Sequence, residues 1–426
     1  MSDGEIFSFE VTKGGKSGDL ISEKSKEGDL AVGFIGSGYF EYWRMYEGLR
    51  ERVEADLQTI ADRLGNRCRV IYPGLIDTLD KADAAGRLFR ESSIDVLVVA
   101  EATYSTDYLI HQALLHLPDD MPILLFASQK HAKLDYKMGY DESLRNSGPM
   151  GIIQLACGFR KMDKYRNFEA VVGSIDDDET YEDIYRYIKI REIIKSLRFW
   201  NIGLIGHIFR GMYDFQYDKT SVSGKLGPHI MDVDIKHLKN ILDEIELDDP
   251  RVKEIVDHAK AEYVITDLDD IDLQRGARLG VAFQDLVERY KLDGLALLGQ
   301  HFIEVEANTT CYLGLSELLS SGKALAVTEG DVLGLIMSKV LKELSGTTPF
   351  FGEWEEIDAE LNAIVILGHG FIDPRTSRPD RPVKLQRACE DWGFEGNAPG
   401  FEATYSPGPV TMSHIIEHQG VWKLLV

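Results

Sequence analysis

The sequence predicts an α/β protein: two Rossmann-like, doubly wound parallel-sheet domains followed by a small, barrel-like β-domain. Three observations carry this. Short apolar runs alternate with amphipathic stretches through the first two thirds of the chain, the pattern of strands joined by crossover helices. The chain has 426 residues, more than one ordinary core accommodates, so two or three domains are expected. The last third changes to short strand-like runs punctuated by glycine and proline, as small β-domains are.

The elements follow in order. Residues 30–36 (Leu-Ala-Val-Gly-Phe-Ile-Gly) form an apolar run ending in glycine, the signature of a buried strand. A long helix is predicted over 42–64. Strands at 69–72, 95–100 and 122–126 then alternate with helices at 80–92 and 106–117. Residues 151–174 read as a transition. The acidic run 176–179 opens a helix to about residue 197, because carboxylates favour a helix N-terminus. The second unit starts with a strand at 201–206. Strands are expected at 230–234, 262–266 and 294–298, with a helix at 277–290. After a strand at 324–328 and a helix at 331–344, strands are expected at 363–367, 383–385, 410–413 and 421–425. The resulting divisions are a flexible N-terminal arm (1–28), a first α/β domain (29–170), a second (171–323) and the β-rich domain (324–426).

Composition narrows the function. A formal net charge of −24 argues against a nucleic-acid surface and against an anionic membrane. The 44% of apolar residues is ample for burial but nowhere forms a run long enough to span a bilayer. The N-terminal segment is polar and lacks the apolar stretch of a signal peptide. Cys68, Cys157, Cys311 and Cys389 stand singly, so free thiols in a reducing cytoplasm are expected.

Three places in the sequence carry chemistry. Gly33, Gly36 and Gly38 follow the first strand with spacing GxxGxG, unlike a dinucleotide fingerprint. The segment 206–214 ends another strand, where open α/β sheets bind ligands; Arg210 there suits an anionic or hydroxylated substrate and Met212 a pocket wall. Finally, Glu329 ends an apolar strand just before a helix, Glu353 follows Pro349-Phe-Phe-Gly, and His369 follows Leu367-Gly368. Two carboxylates and an imidazole at glycine-flanked element edges form a mixed O/N donor set suited to Mn²⁺ or another divalent metal, and they also supply acid and base groups. Asp331 reads equally as a cap of the following helix. Glu355, two residues beyond Glu353, would share its face in a regular strand.

Together these residues resemble the L-fucose isomerase and L-arabinose isomerase superfamily. The stretch from Cys311-Tyr-Leu-Gly-Leu through Ser321-Gly322 to Glu329-Gly330-Asp331 is similar to the segment leading to that family's first metal-binding glutamate. Pro349-Phe-Phe-Gly-Glu353 and Leu367-Gly368-His369 resemble its next two ligand positions, and Pro407-Gly-Pro-Val-Thr411 a turn-and-strand element of its C-terminal domain. The resemblance implies a metal-dependent aldose–ketose isomerase acting through an ene-diol on an open-chain pentose or deoxyhexose. Glu329 and Glu353 would bind the metal and act as acid and base, and His369 would be a further ligand. It also implies homo-oligomers with active sites between subunits, to which Tyr39, Gln129 and His131 would contribute.

The chain departs from the family in one respect. The family supplies another histidine from a glycine- and histidine-rich segment near its C-terminus. Here the sequence runs to Val426 through Trp422-Lys-Leu-Leu without such a segment; His414 is the nearest candidate, with His418 behind it. Two alternatives therefore stand beside the isomerase: a non-catalytic sugar-binding or regulatory relative, and a nucleotide-dependent oxidoreductase using the glycines after the first strand.

Overall fold

A computed structural model describes residues 30–298, 303–389 and 395–426. The arm expected over 1–28 lies outside the described residues. The first strand, β1 (Ala31–Ser37), is buried along its whole length. With β2 (Arg69–Ile71), β3 (Leu75–Ile76), β4 (Val96–Glu101), β5 (Ile123–Gln129) and β6 (Phe168–Ser174) it forms a parallel sheet ordered β2-β1-β4-β5-β6, with β3 also on β1. Strand order reverses between β1 and β4, the arrangement that opens a crevice at the carboxyl ends of doubly wound sheets. Alternate residues face two cores: Phe34, Val98 and Phe126 on one side, Ile35, Val99 and Leu125 on the other.

Two local expectations are corrected. The helix predicted over 42–64 is two helices, Glu41–Met45 and Leu49–Gly65, broken at Gly48 with φ +71°. The transition at 151–174 is the helix Gly148–Met162 followed by β6. As an edge strand β6 is largely exposed, so it lacks the continuous apolar run that marks its neighbours. The next helix, Asp178–Leu197, is capped by Asp177, whose carboxylate accepts the Thr180 N–H at 3.1 Å. It buries Tyr181, Ile184, Tyr187 and Ile188 against the first sheet, so that core reaches well past residue 174.

The second sheet is also parallel. It contains β7 (Asn201–Ile205), β8 (His229–Val233), β10 (Gly294–Leu297) and β11 (Leu325–Val327) in the order β11-β10-β7-β8. Between them, β9 (Val264–Thr266) leaves this sheet and pairs with the distant β14 (Lys384–Arg387), which also pairs antiparallel with β15 (Pro399–Glu402). One core joins these parts: Ile202, Leu295 and Val327 pack in the same cluster as Phe371, Val383 and Leu385.

The remaining strands form two hairpins. One pairs β12 (Gly352–Asp358) with β13 (Ala363–Gly368), and the other β16 (His414–His418) with β17 (Val421–Leu425). The strand expected at 410–413 is irregular; pairing starts at His414, because register is set from the two-residue turn Gln419-Gly420. Among the described residues no helix is long and apolar enough to cross a membrane. None of the four cysteines forms a disulfide.

Candidate active site

Glu329 is placed by backbone geometry. It lies just beyond β11 at the carboxyl end of the second sheet, with φ +61°, a left-handed conformation that a non-glycine residue adopts at a cost. Gly330 follows at φ +70°, and the helix Val332–Ser345 then begins. Asp331 caps it, Oδ1 accepting the Gly334 N–H at 2.8 Å. This turn sets Glu329 at the carboxyl end of the sheet, the edge at which doubly wound sheets bind ligands. It is held from the other side by the loop after β7, where the Phe209 N–H donates to the Glu329 carbonyl at 2.9 Å. The loop containing Arg210 and Met212 thus crosses over the end of β11; Arg210 is exposed and Met212 half-buried.

The hairpin of β12 and β13 delivers the other two groups. In its register Glu353 pairs with Leu367 and Gly352 with Gly368, so His369 lies one step beyond the pairing, diagonal to Glu353. Phe351 fixes the imidazole: its ring is 5.5 Å from that of His369 and packs over the first turn of the helix after Asp331. The chain leaving the hairpin is anchored by Asp373, which accepts from Thr348 Oγ1 at 2.6 Å and from the Arg375 guanidinium.

His369 stands between the two carboxylates. Its Nδ1 is 3.8 Å from Glu329 Oε1 and its Nε2 3.7 Å from Glu353 Oε1. Both gaps exceed hydrogen-bond distance. The Glu329 side chain is 5% exposed and that of His369 11%, while Glu353 at 41% forms the open side. His369 Nε2 is buried without a hydrogen-bond partner.

Glu355 does not share the face of Glu353. A β-bulge between Trp354 and Glu356 shifts the register, so Glu356 pairs with Val365 and takes the face of Glu353, while Glu355 is the extra, exposed residue. His414, half-buried at the start of β16, comes near enough to Asp331 for its charge to act on that carboxyl. Burial pushes the Asp331 carboxyl up from its ordinary value; the Gly334 N–H and His414 oppose this, and Asp214 adds to it. His418 lies exposed at the far end of the same strand. Sequence reasoning assigned no role to Phe351 or Asp214, although each lies within a quoted motif.

The remaining sequence candidates lie on the first sheet. Tyr39 packs against Tyr42 and Tyr104, with ring centroids 5.1 and 6.1 Å away. Gln129 ends β5, and its carbonyl accepts the Ile175 N–H. His131 bonds Glu142 at 3.1 Å. The glycines in and just after β1 serve packing: a Cβ at Gly36 would meet Leu57, and one at Gly38 would meet Trp43. The nearby N–H groups are already used, Gly38 toward Ile76 and Tyr39 toward Thr103 Oγ1, so no phosphate cradle forms there.

As a metal centre, the donor set is chemically apt. Two carboxylates and an imidazole suit Mn²⁺, and the unpaired Nε2 faces Glu353 across a gap too wide for a hydrogen bond. Yet among the described residues no three His, Cys, Asp or Glu side chains converge as closely as a bound ion requires.

No family model matches the chain. It is similar to a curated protein from Alkalicoccus urumqiensis named sulfoquinovose isomerase, with 23% identity over 203 residues. The match covers 46% of this chain and 44% of the relative, so the chain spans less than half the length of that protein. That likeness supports a sugar-isomerase relationship at the level of the superfamily. Among solved structures, a galactofuranose binding protein is 11% identical over 75% of this chain and 90% of its own, with a TM-score of 0.17. A solute binding protein from Agrobacterium vitis, bound with alpha-D-tagatopyranose, is 8% identical over 75% and 90%, with a TM-score of 0.16. TM-scores this low carry no argument about this chain.

Proposed function

We propose that this chain is an aldose–ketose isomerase acting on an open-chain sugar through an ene-diol. The observation that carries the reading is the meeting of Glu329, His369 and Glu353, supplied by a sheet end and a separate hairpin. Glu353, on the open side, takes the C2 proton of the aldose while the C1 carbonyl oxygen gains a proton, giving the ene-diol. The same carboxyl then returns its proton to C1 as the O2 hydroxyl proton leaves, and the ketose results with atoms and electrons balanced. Glu329, nearly buried, carries the hydroxyl proton between O2 and O1. His369 stands between the two carboxylates and keeps them apart.

A divalent cation such as Mn²⁺, held by Glu329, Glu353 and His369, would supply Lewis acidity toward the sugar's carbonyl and hydroxyl oxygens. In the same reading the protein is a cytoplasmic homo-oligomer whose sites lie between subunits, with Tyr39, Gln129 and His131 facing a neighbour's site. Arg210 and Met212 border the substrate through the loop over β11, and His414 takes the part of the family's C-terminal histidine.

The test joins metal analysis to catalysis. Metal content and Mn²⁺ titration are measured for wild type and Glu329→Gln, then pentoses, deoxyhexoses and sulfoquinovose are screened for interconversion. The reading expects metal near one per chain in wild type, its loss in the variant, and turnover of at least one sugar by wild type. A second reading, a sugar-binding relative without catalysis, is favoured by the lack of a converged three-donor cluster among the described residues. Saturable sugar binding with no product in the presence of Mn²⁺ would establish it and overturn the isomerase.

A further inference from the structure

Glu101 ends β4 at the carboxyl edge of the first sheet, next to β1, where the strand order reverses. Its side chain is fully buried. The neighbouring charge that acts on it, Asp107, is negative like its own. Oε2 accepts the Ser105 N–H at 2.9 Å, but Oε1 has no hydrogen-bond partner. Three hydroxyl oxygens nearby are in the same condition: Ser37 Oγ, Ser105 Oγ and Thr106 Oγ1 are buried and unpartnered. Ser37 is the register partner of Glu101 across β1 and β4, so both side chains leave the same face of the sheet. Ser105 and Thr106 belong to the turn whose N–H already holds the carboxylate. The helix Gly148–Met162 covers that face and comes close through glycines: a Cβ at Gly151 would collide with the Glu101 carboxylate, and one at Gly148 with its carbonyl oxygen.

Buried polar atoms nearly always have partners, so four orphaned oxygens grouped around one carboxyl call for a common cause. A proton would neutralise the carboxyl but still leave hydroxyls unpartnered. We infer that these oxygens hold a dehydrated monovalent cation, Na⁺ or K⁺, independently of the chemistry proposed above. Every donor is an oxygen, the ligand type of hard cations, with no imidazole or thiolate among them. The one carboxylate in the set balances one positive charge, which a buried ion requires. Asp107 stands outside the set, its Oδ1 taking the Gln154 amide at 2.8 Å, and adds attraction for a cation. The ion ties β1 to the turn 102–106. That turn in turn holds the loop after β1, since Thr103 Oγ1 accepts the Tyr39 N–H at 3.1 Å.

The experiment takes the full chain in tetramethylammonium chloride and replaces that salt with NaCl or KCl at constant ionic strength. The thermal midpoint of wild type is expected to rise by about 2 °C or more, and to saturate, with at least one of the two ions. Sodium NMR relaxation reads the ion directly: wild type is expected to broaden the sodium line, and K⁺ to reverse the broadening. Glu101→Gln and, separately, Ser105→Ala are expected to lose both responses with unchanged far-ultraviolet dichroism. Equal melting in all three salts without sodium broadening means that water alone fills the site, and it overturns the inference. A folded variant that keeps the wild-type responses overturns it as well. The wild-type measurements need no variant, so they decide the matter even where a substitution prevents folding.

Discussion

Gly330→Ala probes the turn on which the candidate site rests. Gly330 sits at φ +70°, where an L-residue costs about 1–2 kcal/mol. A Cβ there would also lie 2.7 Å from the His207 carbonyl oxygen and 2.9 Å from Ile208 Cα. Both atoms are backbone, so the loop after β7 must move, adding roughly 1–3 kcal/mol as overpacking does. The expected loss is therefore about 3 kcal/mol. Gly48→Ala is the control: Gly48 has φ +71° but nothing within 4 Å of its Cβ position, so only the conformational cost applies, about 1 kcal/mol. Thermal and urea unfolding followed by circular dichroism give both values. Because the displaced loop also holds the Glu329 carbonyl, turnover should fall at least about tenfold in Gly330→Ala and stay unchanged in Gly48→Ala. Equal destabilisation by the two substitutions would refute the reasoning.

Other outcomes are expected from the same geometry. Glu329→Gln should retain the wild-type melting profile and lose about 10²–10⁴-fold in kcat, measured with the sugar the screen identifies. Glu353→Gln should lose activity on a similar scale while Glu355→Gln keeps it, since the bulge turns Glu355 away; steady-state rates of the pair decide this. Glu101, fully buried at the end of β4, has its carboxyl pushed well above the ordinary range by burial, opposed by the Ser105 N–H and reinforced by Asp107. The folded chain thus binds this proton more tightly than the unfolded chain. The contribution is most favourable below the unfolded pKa of about 4.3 and is lost as pH rises toward the folded value. Glu101→Gln should remove that slope, so its stability relative to wild type should improve between acid and neutral pH in urea titrations.

Much of the fold was legible locally. β1, β4, β5, β7 and β10 are apolar runs because both their faces are covered, and burial on both faces leaves a continuous signal in the sequence. Edge position hid β6, and a single residue with positive φ divided the first long helix at Gly48. In the candidate site, Glu329, Glu353 and His369 stood out through their places at glycine-flanked element ends. The part played by Phe351 was not legible, since ring packing depends on what faces it across a hairpin.

The sequence by itself determined the alternation of strands and helices, because hydrophobic period and turn residues act over a few neighbours. It also determined which carboxylates end elements and are therefore free to face a crevice. Only the tertiary structure decided that β9 pairs with β14, that Glu329 meets His369 and Glu353, and that Glu356 rather than Glu355 shares a face with Glu353. Pairings between distant segments follow from register and from a shared core. One extra residue in a bulge reverses which side chains point together, and nothing in the local pattern of charges records it.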